Sequence, residues 1–252
     1  MQHAINIFGY GLTQFFTNLG AALRLTGLAW LGASLLIYGL GHVMIGLPIG
    51  PTSMRPDAEG QMPALSASFG MIGVVINLLA STYVAMIWAR FCLGHETPKT
   101  PLPSLKGQPF GGALITFILV IAGVGAVAFL LSLIGSLLLP YMPFLVGLLF
   151  FPVVMAVIML WLTLRLGAAI PASAAGEMMS LTAAWNGSRG MGLGLVAVLA
   201  FMTITIVTLP SVLLAGLIIP GNIVSVLGTW ALLLIGTGWL VAIYTRCTDS
   251  AA

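Results

Sequence analysis

The sequence predicts an all-α protein, a polytopic membrane helix bundle with six transmembrane helices and an amphipathic interfacial helix ahead of the first. Three observations carry that reading. Of 252 residues 60% are hydrophobic and only 5% charged, with a mean hydropathy of +1.16. The charges are spaced so as to leave long uncharged intervals, and nearly all basic residues fall on one side of the resulting topology. A water-soluble domain carries roughly 25% charged residues, so a soluble enzyme is excluded. Disorder is excluded as well, because it needs low hydrophobicity and high net charge.

The span count follows from the cost of burying charge. A charged side chain at the bilayer centre costs at least ~2.5 kcal/mol on insertion scales, so crossings must lie between charges. Four intervals dominate: Leu25 to Met54 (30 residues), Gly60 to Ala89 (30), Gly107 to Leu164 (58) and Gly190 to Thr245 (56). About 20 apolar residues cross the ~30 Å hydrocarbon layer, so the short intervals hold one helix each and the long ones two. Hairpin turns are expected at Pro140-Tyr141-Met142-Pro143 and Pro220-Gly221-Asn222, since proline lacks an amide donor and biases its predecessor away from helix.

The six spans then run Thr26 to Leu47, Ser68 to Phe91, Gly111 to Leu139, Phe144 to Leu166, Gly192 to Ile219 and Ile223 to Tyr244, with Pro152 and Pro210 as kinks inside them. They form a transmembrane domain over residues 25–246, between a cytoplasmic-face helix at 1–24 and a short tail at 247–252.

Six spans put both termini on one side, together with Arg24, Arg90, Lys99, Lys106, Arg165, Arg189 and Arg246; Arg55 alone falls opposite. For a bacterial inner membrane, the positive-inside rule assigns that basic side, with both termini, to the cytoplasm. The outer face holds one loop, Pro48 to Ser66, and two tight turns, too little for an extracellular domain.

From Ile5 to Leu23 the apolar residues Ile5, Phe8, Leu12, Phe15, Phe16, Leu19 and Leu23 recur at helical spacing, opposite Asn6, Thr13, Gln14, Thr17 and Asn18. Such a helix lies flat on a membrane. It is no secretory signal, having no basic residue before Arg24. Between the second and third spans, Pro98, Pro101 and Pro103 mark an extended loop; further on, Ser180 is placed to cap a short helix carrying Trp185.

Three hairpins result, each preceded by a cytoplasmic segment and ending in an arginine with an aromatic before it: Trp88 with Arg90, Trp161 with Arg165, Tyr244 with Arg246. The layout admits a threefold hairpin repeat. Span ends attract aromatics and arginines for their own reasons, so the pattern has a plain interfacial explanation too.

Chemistry inside the membrane is sparse. Asn77 is the deepest strong polar group and His42 lies toward the outer end of the first span. Asn77 suits an interhelical hydrogen bond; His42 has the chemistry of a proton relay but equally that of an interfacial histidine. Cys92 and Cys247 follow cytoplasm-end arginines and are expected as thiols. His3, His42 and His95 are isolated, no metal-ligand spacing occurs, and no cofactor is expected. At the basic face, Arg90, Arg165, Glu177, Trp185 and Arg189 are candidate contacts for lipid head groups or a partner. A carboxylate at Glu177 between Arg165 and Arg189 would be the one catalytic arrangement available. Span glycines such as Gly32, Gly39, Gly123, Gly125, Gly135 and Gly238 suggest close helix packing, within the chain or with a neighbour.

The stretch Arg165-Leu166-Gly167-Ala168-Ala169-Ile170-Pro171-Ala172, with Ser180-Leu181-Thr182-Ala183-Ala184-Trp185 and Ser188-Arg189-Gly190 after it, resembles poorly characterised bacterial six-helix membrane proteins. These are similar to the membrane domain that accompanies some glycerophosphodiester phosphodiesterases. Arg90-Phe91 followed by Gly94 resembles the end of their second span; Asn186-Gly187 departs from the pattern. The resemblance implies an inner-membrane family tied to lipid or envelope processes and transfers no catalytic residues.

Three functions are compatible with these features. The first is a non-catalytic accessory or scaffold that organises lipid or packs with a membrane-protein partner or a second copy. The second is a carrier for a small or lipidic solute, and the third a lipid-head-group enzyme at the cytoplasmic interface. Membrane lipids are the expected partners, and nucleic acid is not.

Overall fold

The computed structural model describes residues 1–45, 64–97, 107–138, 151–214 and 218–249, together with positions 103, 141, 143 and 147. Every regular element among them is helical. α1 (Gln2–Thr17) leads through Asn18 into α2 (Leu19–Ala22), one π-helical turn (Leu23–Gly27) and α3 (Leu28–Ile45). Then come α4 (Ala64–Cys92), α5 (Phe110–Leu138), α6 (Phe151–Gly167), the short α7 (Ala169–Ala175) and α8 (Leu181–Gly187), α9 (Leu193–Leu213) and α10 (Ile218–Asp249). Six segments are long and apolar enough to cross a membrane, starting at Leu19, Gly70, Phe110, Phe151, Leu193 and Gly221. The chain is an all-α integral membrane bundle.

Successive spans pair as hairpins, α3 with α4, α5 with α6 and α9 with α10. Contacts of α4 with α5, α6 with α9 and α10 with α4 close five spans into a ring. The ring surrounds an apolar cavity of about 300 Å³ lined by residues such as Phe117, Leu160, Ile204 and Leu240. Thr163 and Thr237 also line it, each bonded back to its own helix (2.8 and 2.7 Å). Among the described spans α10 is the most buried and α5 the least.

The turn expected at Pro220 falls elsewhere. Pro220 is the third residue of α10 as described, while the kink expected at Pro152 lies at the edge of the described residues, which resume at Phe151. A first-turn amide has no acceptor within its helix, so proline costs nothing there and pre-sets the backbone angle. Pro220-Gly221-Asn222 is thus a helix start, the break falling after Leu213. Pro210 does lie inside α9. Of the other turn, Tyr141 and Pro143 are exposed; its remaining residues, Lys99, Lys106 and residues 46–63 with Arg55 lie outside the described residues.

The N-terminal helix has three faces rather than two. Ala4, Ile7, Gly11 and Phe15 are buried against α10 and α9, while Ile5, Phe16, Leu19 and Leu23 are exposed and apolar, and Asn6, Thr13 and Thr17 exposed and polar. Its contacts climb α10 from Arg246, whose Nη1 donates to the His3 carbonyl (2.9 Å), to Trp230, which meets Phe15 edge-on at 5.8 Å. The sixteen residues between those two contact points on α10 span about 24 Å. α1 therefore packs along α10 over most of its length. The break falls at Asn18, whose side-chain amide reaches back to the Gln14 carbonyl (3.1 Å), short of the boundary expected at Arg24.

The π turn is held by a buried hydroxyl. Thr26 donates to the Ala22 carbonyl (2.7 Å) and accepts from the Trp230 indole (3.0 Å); one turn on, Trp30 donates to the Val226 carbonyl (2.9 Å). Thr26→Val keeps the shape but strands the Trp230 N–H. We expect a loss of about 1 kcal/mol, the scale of interhelical hydrogen bonds in membranes, read as a lower thermal midpoint in detergent. Thr26→Ser should restore it.

Candidate functional site

Before α7 the backbone makes an unusual approach. Gly167 closes α6 against α10, where a Cβ would stand 2.7 Å from Leu240. α7 then enters under the ring with Ala169 to Ala174 all buried, touching α4, α5 and α10. Pro171 sits in the first turn of this buried helix. Gly176 ends α7 at φ 89°, and the Glu177 amide closes back on the Ala172 carbonyl (2.9 Å).

Ser180 caps α8 as expected, accepting from the Ala183 amide at 3.1 Å. α8 is seated on α10, because a Cβ at Gly187 would lie 3.0 Å from the Cys247 sulfur. That seating carries Trp185 onto the end of α6. The Trp185 and Trp161 rings meet edge-on at 5.5 Å, and the Arg165 guanidinium lies over both, 4.3 Å from the Trp185 centroid and 5.0 Å from that of Trp161. Arg165 Nε is buried without a hydrogen bond, and the one ion pair among the described residues lies elsewhere. Each cation–π contact contributes about 0.5–2 kcal/mol and holds the fork in place without neutralising it.

The other basic-end residues have separate duties. Arg90 donates from Nη1 to the last carbonyl region of α7, at Ala174 (3.0 Å), and its Nε lies 3.7 Å from Glu96, which also accepts from Gln108 (3.1 Å). It stitches the ends of α4 and α7 and the start of α5, with 18% of its side chain exposed. Glu177 is exposed but pairs with neither Arg165 nor Arg189; its carboxylate accepts a 2.6 Å hydrogen bond from the buried Tyr244 hydroxyl. Arg189 is exposed on the loop after α8. Of the five basic-face candidates, only Arg165 and Trp185 are brought together. Trp161 and Tyr244, seen in the sequence only as span-end aromatics, complete the contacts.

A second locus lies toward the other end. A groove of about 360 Å³ between α3, α4 and α10 is lined by Trp30, Ser34, Tyr38, Asn77, Ser225 and Thr229, among others. Asn77 is exposed along it, its Oδ1 3.4 Å from the Ser81 hydroxyl. The interhelical bond expected of Asn77 is replaced by this intrahelical one. His42 is exposed near the end of α3. Cys92 is half-buried and Cys247 buried, both as thiols. Among the described residues no group of three metal-ligating side chains gathers.

These features define an integral membrane helix bundle with an aromatic-held cation at one end and a polar-lined groove toward the other. No protein-family model, curated protein or solved structure matches the chain.

Proposed function

We propose that this is a non-catalytic protein of the bacterial inner membrane that organises anionic lipid at its cytoplasmic, basic face. The observation behind the reading is Arg165, a guanidinium laid on Trp161 and Trp185 that makes no ion pair among the described residues. Tryptophan and arginine at a span end belong to the head-group level, where the abundant anion is the lipid phosphate, and a planar guanidinium matches its paired oxygens. The resemblance to lipid-linked six-helix proteins points the same way. Hydrolysis of head groups is less well supported, since Glu177 is engaged by Tyr244.

The test is lipid enrichment by native mass spectrometry from mixed nanodiscs. Wild-type protein should retain phosphatidylglycerol over phosphatidylethanolamine, and Arg165→Ala should lower that preference about fivefold, the ~1 kcal/mol worth of one basic residue at an anionic surface. Trp185→Ala should lower it too by freeing the fork. Equal retention by wild type and Arg165→Ala would refute the reading. A second reading, a carrier for a lipidic solute, draws on the groove that reaches Asn77; its test is exchange of a fluorescent lipid between proteoliposome leaflets, lost in Asn77→Leu.

A further inference from the structure

We infer that the apolar cavity inside the ring of spans is a binding site for one hydrocarbon chain, the distal part of an acyl chain of a bilayer lipid, which enters sideways past Ile121 on α5. On α6 the cavity is lined by Leu160, Thr163 and Leu164, a different face from that of Trp161 and Arg165. The site therefore does not rest on the role given to Arg165, and either can fail without the other.

The walls decide what can enter. Among the described lining residues three side chains carry a polar hydrogen, and each has already given it to a backbone carbonyl: Thr163 to Met159 (2.8 Å), Thr237 to Leu233 (2.7 Å) and Trp239 to Phe8 (3.0 Å). A water or a ligand carbonyl would find no free donor among them, so the cavity excludes polar occupants. No charged residue belongs to the described lining, and residues 139–150 and 215–217, which link these spans in the chain, contain none. Pro103, between Lys99 and Lys106 in the chain, accepts from the Tyr83 hydroxyl (2.9 Å), and Tyr83 lies two residues, or about 200°, around α4 from the lining residue Ala85.

Size and position then select the occupant. An apolar cavity of ~150 Å³ stays dry and holds benzene, so the about 300 Å³ found here takes roughly twelve carbons. That is part of one lipid chain and too little for a whole lipid. Ile121 lines the cavity and is also 50% exposed, on the least covered of the described spans. It stands eleven residues beyond Phe110, about 16 Å along α5, near the middle of the ~30 Å hydrocarbon layer, where chain ends lie and head groups do not. No hydrophobic force draws hydrocarbon out of hydrocarbon. What retains the chain is dispersion, because protein walls pack more densely than a liquid.

The experiment uses the full chain in phosphatidylcholine nanodiscs with a trace of phosphatidylcholine carrying a diazirine at the end of one acyl chain. We expect crosslinks in peptides containing Phe117, Ile204 and Leu240, and none there when the diazirine is placed beside the ester carbonyl. Gly236 stands in the α10 wall, and a Cβ on it meets nothing within 4 Å, so Gly236→Leu fills the cavity without displacing the protein. It should lower cavity labelling about tenfold, the scale of an overpacked contact, at a thermal midpoint no lower than wild type. Labelling at the outward Phe129, 64% exposed, should not change. Should Gly236→Leu melt early, Ile121→Trp carries the same test by narrowing the mouth from the lipid side. Thr237→Val and Arg165→Ala should label as wild type. Wild-type cavity labelling in a Gly236→Leu protein of normal midpoint, or in Ile121→Trp, would overturn the inference. So would loss of labelling in Thr237→Val, which would mean a polar occupant, or stronger labelling by a photoactivatable polyprenol than by the acyl probe.

Discussion

Gly11→Leu is expected to detach α1 from the bundle. At this position α1 and α10 cross with almost no side chain between them: a Cβ on Gly11 would fall 2.7 Å from the Ile235 carbonyl oxygen and against the Trp239 ring, and one on Gly238 would fall 2.9 Å from the Gly11 Cα. The neighbours are backbone and a wedged indole, so neither can yield. Trp239 is fixed by stacking on Phe8 at 5.6 Å and by donating to the Phe8 carbonyl at 3.0 Å. Overpacking of this kind costs about 1–3 kcal/mol, and pushing α1 outward also weakens the Phe15–Trp230 and Arg246–His3 contacts. A total near ~3 kcal/mol lowers the thermal midpoint by roughly 10 °C for a chain of this size. Limited proteolysis should show α1 newly cleavable. Gly9→Leu is the control, because a Cβ at Gly9 meets nothing within 4 Å and a leucine helix former replaces a poor one. If both variants melt alike, the close crossing is not what seats α1.

The span pattern was legible because it rests on a large, simple energy. Charge cannot sit in hydrocarbon, so thirteen charged positions partition the chain, and the six long apolar helices carry charges only near their ends or not at all. What the pattern does not encode is which small residues face which neighbours. Gly32, Gly39 and Gly125 have open space where a Cβ would be, while Gly11, outside the spans, makes the tightest helix crossing among the glycines of α1 and α10. Glycine content announces that close contact is possible; the partner across the contact, Gly238 on a helix over two hundred residues away, has no local signature. Pro220 misled for a related reason, because proline is equally at home in a turn and in the first turn of a helix.

The candidate site was half legible. Ser180 at the cap and Trp185 near the middle of a short helix follow from local rules, and Arg165 is conspicuous as a lone charge between two apolar stretches. Their meeting is tertiary: it depends on α7 turning inward and on Gly187 letting α8 settle against Cys247. The groove left a weak mark in the sequence. Ser34 and Tyr38 are four apart, as are Ser225 and Thr229, and Gly70, Gly73 and Asn77 follow at intervals of three and four, so each helix presents one polar or small stripe. Three such stripes on different spans converge only once the bundle is assembled.

Trp88→Ala should be the most destabilising single truncation in the bundle, and Trp88→Phe should cost little. The sequence places Trp88 at a span end, where an indole normally lies in the head-group belt, but the residue is wholly buried. Its ring stacks on Phe91 at 5.1 Å with 22° between planes, and among the described residues it is the largest side chain that is fully buried. Truncation to alanine opens a cavity that backbone rigidity keeps from closing, at about 3–5 kcal/mol, or roughly 10–15 °C in thermal midpoint. Phenylalanine refills most of that space and keeps the stacking. It loses no hydrogen bond, because Trp88 Nε1 is buried without a partner, and deleting an unpaired donor recovers desolvation of about 1–3 kcal/mol against the smaller ring's lost contacts. The two variants therefore separate volume from polarity at one position: a Phe variant that melts with the Ala variant would mean that the indole N–H is bonded in the membrane after all, and an Ala variant that melts with wild type would mean that the α4 end is not packed as described.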